Sequence, residues 1–259
     1  MNKVDLSSYE VLFVDMDGVI VMSGSPIPGA VDAVNRLNSR GEVFVLSNNS
    51  TRSRKRFAGN LKDIGVRLPA GRVINSAFVL AKFLREEKGP LSVFTVGEEG
   101  LDLELRELGH EITDPEKSEI VAVGMDRGLT YEKLDRALTG LNGGANFFAT
   151  NSDSTFPTPD GESPGAGASV GAIRGMGYEP EKIVGKPSKV AADIAMEVAG
   201  ASSPEDCLVL GDRLETDILL AERAGMDSVL VLSGVETEES LGKSDFKPTY
   251  VVHDLPDIL

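Results

Sequence analysis

Four short polar clusters, each placed directly after an apolar run, constrain this chain more than any other feature. Val11–Val14 is followed by Asp15-Met16-Asp17-Gly18, and residues 43–46 by Ser47-Asn48-Asn49-Ser50. Residues 182–184 lead into Gly185-Lys186-Pro187-Ser188, and residues 208–210 into Gly211-Asp212-Arg213-Leu214-Glu215-Thr216-Asp217. The apolar runs lack the alternation of a half-solvated strand, so they read as strands buried on both faces. Strands are predicted over 10–14, 42–46, 207–210 and 229–232, with helices over 28–39, 52–64, 188–199 and 216–224. This β-α-β-α order predicts an α/β fold with a doubly wound parallel sheet. Ligands on such sheets bind beyond the carboxyl ends of the strands, so the four clusters are expected to converge on one crevice.

Their chemistry is complementary. Asp15 and Asp17, two apart on an extended strand end, can aim one carboxylate and one backbone carbonyl at the same cation. Asp212 completes a hard, all-oxygen set that suits Mg²⁺. Lys186 supplies a compact positive charge to hold a phosphoryl group and shield a carboxylate nucleophile from its anionic target. Ser47 and the amides of Asn48 and Asn49 offer hydrogen bonds to phosphoryl oxygens. Carboxylates crowded without cations would raise one another's pKa values, a conflict that the metal and the lysine resolve.

The spacing divides the chain. From Asp15 to Ser47 is 32 residues, one β-α-β unit, and from Lys186 to Asp212 is 26, room for one helix and one strand. Ser47 and Lys186 stand 139 residues apart, far more than a crossover needs. An insert on the order of a hundred residues is implied between them. Strand-like runs at 91–96, 120–124 and 146–150, with helices near 98–108 and 131–141, predict a second small α/β unit there. Residues 152–167, rich in Ser, Pro, Gly and Asp, read as a long functional loop.

Charge and cysteine content narrow the partners. With 26 Lys and Arg against 41 Asp and Glu, the net charge is -15, which repels nucleic acid and anionic lipid. No apolar run is long enough to span a bilayer, and no secretory leader pattern opens the chain. A single cysteine, Cys207, gives no internal disulfide and fits a reducing compartment, so a cytoplasmic location is expected.

Taken together, Asp15-x-Asp17-Gly, Ser47-Asn48, Lys186 and Gly211-Asp212-x-x-x-x-Asp217 resemble the four motifs of the haloacid dehalogenase-like (HAD) hydrolases. Ser47-Asn48-Asn49-Ser50, Ala149-Thr150-Asn151-x-Asp153, Pro164-Gly-Ala-Gly167, Gly185-Lys186-Pro187 and Gly211-Asp212-Arg213 resemble its NagD-like branch. That branch includes 4-nitrophenylphosphatases, phosphoglycolate phosphatases and pyridoxal phosphatases. The resemblance implies a HAD-like Rossmannoid core over 1–77 and 183–259, with an α/β cap domain inserted over 78–182. It also implies hydrolysis of a small phosphorylated metabolite through a phosphoaspartyl intermediate. Asp15 would be the nucleophile and Asp17 the acid and base. Mg²⁺ would sit on Asp15, Asp212 and the Asp17 carbonyl. Lys186, Ser47, Asn48 and Asn49 would clamp the phosphoryl group, and Asp217 would support Lys186. Asn151, Asp153 and Phe156 are the cap residues expected to touch the leaving group. Phe156 falls near where pyridoxal phosphatases of the branch carry a histidine, which counts against that substrate. A homodimer is the oligomer the resemblance suggests.

Three rivals share parts of this pattern. Cys207 to Arg213 has the C-x₅-R spacing of cysteine phosphatases, but the intervening residues read as a buried strand, whose amides cannot cradle phosphate. A receiver domain lacks an acid/base two residues after its acceptor aspartate and has no place for the insert. A non-catalytic phosphometabolite-binding protein on the same fold would bind ligand without releasing phosphate.

Overall fold

The computed structural model describes residues 4–158 and 161–259. The chain opens with β1 (Val11–Val14), a short hairpin of β2 (Val21–Met22) and β3 (Ser25–Pro26), and helix α1 (Ala30–Asn38). β4 (Glu42–Ser47), α2 (Arg54–Asp63) and β5 (Val73–Asn75) follow. Next come α3 (Ser76–Lys88), β6 (Ser92–Val96), α4 (Glu99–Glu107), β7 (Glu111–Ile112) and β8 (Ile120–Val123). The middle of the chain continues with α5 (Tyr131–Asn142), β9 (Asn146–Ala149), β10 (Thr155–Thr158), β11 (Gly161–Pro164), α6 (Ala166–Gly175) and β12 (Lys182–Ile183). It closes with α7 (Lys189–Ala199), β13 (Cys207–Gly211), α8 (Leu219–Ala224), β14 (Asp227–Val231), α9 (Glu238–Gly242) and β15 (Tyr250–Val252).

Two parallel sheets result. The first has the order β15-β14-β13-β1-β4-β5 and the second β12-β9-β8-β6-β7. In β1 the strand period of two sends side chains to both faces. Leu12 and Val14 pack with Val34, Leu37, Phe57 and Leu61 of α1 and α2. Val11 and Phe13 pack on the opposite face with Leu84 of α3 and Ala192 and Ala195 of α7. Because both faces are covered, all four residues of β1 are buried, which is why the run carries no alternation. The sheet reverses its winding between β1 and β13, and the crevice at that switch point is where Asp15 and Asp212 emerge.

The second sheet does not stand apart. Val93, Ile120 and Phe148 belong to the same apolar cluster as α3 and α7, so α3 is shared between the sheets. Residue 78 is the third residue of α3 and residue 182 the first of β12. The expected loop over 152–167 is corrected: among the described residues it contains the antiparallel pair β10 and β11 and the start of α6. Pro159 and Asp160, within that stretch, lie outside the described residues. The helix expected over 216–224 is also refined, since residues Leu214–Ile218 form a π-helical turn ahead of α8. Among the described residues no helix is long and apolar enough to cross a membrane.

Candidate active site

Asp15, Ser47, Lys186 and Asp212 are each placed at or just beyond a strand end. The Asp15 amide continues the sheet by donating to the Leu210 carbonyl at 2.8 Å, which fixes the carboxylate beside the start of the 212–217 segment. Lys186, at the exit of β12, is only 4% exposed. Its Nζ donates to Asp15 Oδ1 at 2.7 Å, to Asp217 Oδ1 at 2.6 Å and to the Leu46 carbonyl at 2.9 Å. All three ammonium protons are therefore used by buried acceptors. The π-helical turn brings Asp217 back under the lysine, and Asp217 Oδ2 accepts from the Arg213 amide and the Thr216 hydroxyl, both at 3.2 Å.

Asp212 is handled differently. Its Oδ2 accepts from the Val235 amide at 2.9 Å, whereas Oδ1 is buried with no hydrogen-bond partner. A Cβ at Gly18, whose φ is +88°, would stand 2.1 Å from Asp212 Oδ2, and one at Gly234 would stand 2.0 Å from it. Glycine at both positions keeps open the space around this carboxylate. Carboxylate oxygens of Asp15, Asp212 and Asp217 lie within 4.8 Å of one another. An orphaned buried oxygen within such a hard donor set fits a divalent cation. Since both oxygens of Asp217 are engaged, the ligand set these contacts favour is Asp15 and Asp212.

Electrostatics agree with a site that needs a cation. Burial pushes the Asp15 carboxyl well above the ordinary range, against the pull of Lys186, and Asp217 and Asp212 push it further. Burial and then Asp217 bring Asp212 up to about 7. Lys186 is raised despite its burial, because Asp15 and Asp217 hold its charge. Burial also raises Asp17, with the Asn49 side chain opposing the shift by hydrogen bonding.

The second cluster turns out to divide its labour. Ser47 ends β4, is 5% exposed, and its Oγ accepts from the Asn49 amide at 3.1 Å. Asn48 is engaged within the protein. Its Nδ2 donates to Asp153 Oδ1 and Oδ2 at 3.0 and 3.1 Å and to the Lys186 carbonyl at 3.0 Å, while its Oδ1 accepts from the Lys186 amide at 2.9 Å. The Asn48 carbonyl accepts from the Asn151 amide group and, at 2.6 Å, from Ser76 Oγ. Both amide ends of Asn48 and the Nδ2 of Asn151 are thus used internally, which leaves these side chains as ties rather than free phosphate donors. Burial raises the Asp153 carboxyl, and the Asn48 hydrogen bonds pull it back.

These groups line a cavity of about 670 Å³ between the sheets, with Asp15, Asp17, Ser47, Lys186, Asp153 and Phe156 all on its wall. Three arginines not expected on the wall also line it: Arg52, Arg127 and Arg213. Arg213 reaches across to the hairpin, donating from Nη2 to the Thr155 carbonyl at 3.3 Å. Its position directly after Asp212 in the Gly211-Asp212-Arg213 run was the available signal. Cys207 lies in β13, and burial pushes its thiol up to about 11.

A crevice that pairs a lysine-held aspartate with an orphaned acidic oxygen at the switch point of a parallel sheet marks a hydrolase site of the α/β class. The chain belongs to the haloacid dehalogenase-like hydrolases, within the NagD-like branch of phosphatases. Profiles described as haloacid dehalogenase-like hydrolase and HAD-hydrolase-like match residues 12–111 and 183–258. The acid sugar phosphatase of Staphylococcus haemolyticus is 32% identical over 251 residues, covering 96% of this chain and 95% of that protein. The dihydroxyacetone phosphatase of Corynebacterium glutamicum is 35% identical over 246 residues, covering 94% and 88%. The structure of p-nitrophenyl phosphatase from Archaeoglobus fulgidus superposes with a TM-score of 0.91 at 37% identity, covering 97% and 98% of the two chains.

Proposed function

We propose that this protein is a Mg²⁺-dependent phosphomonoesterase that hydrolyses small sugar phosphates, and 4-nitrophenyl phosphate as an artificial substrate, through a phosphoaspartyl intermediate. The observation that carries this reading is the three-point grip of Lys186 on Asp15, Asp217 and the Leu46 carbonyl, beside the partnerless Oδ1 of Asp212. Lys186 holds one oxygen of Asp15, and the other attacks phosphorus as the bond to the leaving oxygen breaks. Asp17, its carboxyl raised by burial, gives its proton to that leaving oxygen. Asp17 then takes a proton from water, whose oxygen attacks phosphorus and breaks the bond to Asp15, releasing phosphate. Ser47 and Asn49 steady the phosphoryl oxygens through both steps, and Lys186, its three protons held by Asp15, Asp217 and the Leu46 carbonyl, contributes its charge to them. Asp15, Asp212 and the Asp17 carbonyl would hold Mg²⁺, which supplies charge neutralisation when bound.

The second sheet, over about 78–182, acts as the cap in this reading. Its hairpin residues Phe156 and Thr155, with Asp153 and Arg213, form the wall against which the leaving group is read. The names of the curated relatives support sugar phosphates as the substrate class. A cytoplasmic enzyme without nucleic-acid or membrane partners fits the net charge of -15 and the lone Cys207. A homodimer through the cap belongs to the same reading.

Phosphate release from 4-nitrophenyl phosphate, with and without Mg²⁺, tests the assignment. Mg²⁺-dependent turnover that is lost in Asp15→Asn and kept in Cys207→Ser is the expected result. Absence of turnover in the wild type, or loss in Cys207→Ser alone, would contradict it. The first outcome would mark a binding protein and the second cysteine chemistry.

A further inference from the structure

Among the described residues four cations stand on the cavity wall, and three of them are already engaged. Lys186 holds Asp15 and Asp217, and Arg213 reaches the Thr155 carbonyl. Arg127, in the loop after β8, is gripped by Glu98: its Nε donates to Oε1 at 2.7 Å and its Nη2 to Oε2 at 2.6 Å. That edge-on pair leaves the Nη1 amino group of Arg127 with both its protons to give. Arg52 differs from all three. Its backbone is pinned on two sides: its carbonyl accepts from Nδ2 of the buried Asn75 at 2.8 Å, and a Cβ on Gly100 would lie 2.3 Å from its nitrogen. Its guanidinium, among the described residues, has no hydrogen bond or ion pair. Arg54, two residues on, is by contrast committed to Glu104 and the Phe78 ring. Arg52 and Arg127 are anchored at the same place. Glu98, which grips Arg127, directly precedes α4, and Gly100, which abuts Arg52, is the second residue of that helix. One guanidinium from each sheet, both with donors to spare, is thus fixed beside the start of α4 on the wall of the cavity that holds Asp15.

We propose that Arg52 and Arg127 are specificity-determining residues for the leaving group: together they receive a second anionic group, a carboxylate or a phosphate, at the end of the substrate away from the scissile phosphoryl group. This rests on the phosphatase reading given above and narrows its sugar phosphates to those with two anionic ends. The scissile phosphoryl group has its own partners at Asp15, Ser47 and Asn49, so the charge beside α4 is left for the far end. A planar guanidinium with free donors matches a carboxylate or a phosphate, and Glu98 presets the aim of Arg127 before substrate arrives. In a chain of net charge -15, an unpaired cation on a cavity wall is what lets a doubly anionic ester be held there.

The experiment measures kcat/KM of the Mg²⁺-loaded enzyme on esters that share a carbon skeleton and differ at the far end. Glucose 6-phosphate, 6-phosphogluconate and glucose 1,6-bisphosphate end in a hydroxyl, a carboxylate and a phosphate; glycerol 3-phosphate and 3-phosphoglycerate repeat the comparison at a shorter length. The wild type should prefer at least one charged ester to its neutral counterpart by about tenfold or more, and the ester preferred tells carboxylate from phosphate. Arg52→Gln should cut that ratio to about twofold or less, whereas Arg52→Lys and Arg127→Gln should each keep part of it. Lys55 lines a neighbouring groove that Arg52 also borders, but not the cavity, so Lys55→Gln should leave the ratio as it is in the wild type. Three results would overturn the proposal: no preference in the wild type, a preference that survives in the Arg52→Gln/Arg127→Gln double variant, or one lost equally in Lys55→Gln. In each of these the phosphatase reading still stands on turnover of 4-nitrophenyl phosphate. No turnover of any ester would instead remove that reading, and the proposal with it.

Discussion

The side-chain amide of Asn48 donates to both carboxylate oxygens of Asp153, at 3.0 and 3.1 Å, across 105 residues of sequence. Through the same amide, Asn48 also grips the backbone of Lys186 on its carbonyl and its amide. One residue thus ties the end of β4, the lysine loop and the base of the β10–β11 hairpin into a single unit. A double-mutant cycle on Asn48→Ala and Asp153→Ala, followed by denaturant unfolding, should give a coupling of about 1–3 kcal/mol, the range for a hydrogen bond to a charged group. Additive losses would mean the contact contributes nothing of its own.

That tie also shows where sequence reading stops. The four clusters were legible because a polar cluster after an apolar run is a local signal; the strand-end rule then brings together the three that follow β1, β4 and β13 of the first sheet, whereas Lys186 arrives from β12 of the second. No local signal tells Asn48 that its partner is Asp153 rather than phosphate, since both need the same amide. Asp217 was legible as a supporting carboxylate, but the π-helical turn that swings it under Lys186 was not. The hairpin of β10 and β11 hid behind Pro157 and Pro164, residues that argue against strands unless the strands pair only with each other. Helix α3 escaped for the opposite reason. Ser76 through Ala81 are all buried, so the polar stripe that marks a surface helix is missing over its first half.

Cys207 should be dispensable for catalysis. It is fully buried in β13, its thiol pushed up to about 11 by burial and then by Asp206, and its Sγ lies 3.5 Å from the Ser203 carbonyl. A thiol in that state is neither ionised nor reachable at neutral pH. Treatment of the native protein with iodoacetamide should leave phosphatase activity unchanged, and Cys207→Ser should retain it. Inactivation that tracks modification of Cys207 would contradict this.

The pair of Arg54 and Glu104 should bear much of the docking of the second sheet on the first. Glu104 is 1% exposed and takes two bonds from Arg54, whose guanidinium lies 3.6 Å from the centre of the Phe78 ring. Removing one member of a buried pair strands the other, so Glu104→Ala is expected to cost about 3 kcal/mol in urea unfolding. Arg54 also reaches Glu107, but at 3.9 Å and with that carboxylate 62% exposed. Glu107→Ala should therefore change stability by less than about 0.5 kcal/mol. Equal costs for the two variants would show that burial of Glu104 does not matter.

Metal binding and pH should be linked through Asp212. Burial, and after it the charge of Asp217, lift this carboxyl from 3.8 to about 7, and Asp15 is raised for the same first reason. In the metal-free protein the folded state therefore keeps protons that the unfolded chain has already released. The resulting stabilisation is complete below the ordinary carboxylate range and is lost as pH rises through about 7. A divalent cation competes with those protons, because it binds the ionised carboxylates only. The rise in melting temperature produced by saturating Mg²⁺ should accordingly be small near about pH 5 and much larger near about pH 8. Asp212→Asn removes both the titrating group and, in the proposed reading, a metal ligand. It should give a small Mg²⁺ shift at either pH, and its metal-free form should melt above the metal-free wild type at the higher one. Differential scanning calorimetry of the two proteins, with and without Mg²⁺, reads all of these quantities. A wild-type shift that does not change with pH would mean that the proton and the cation occupy different sites.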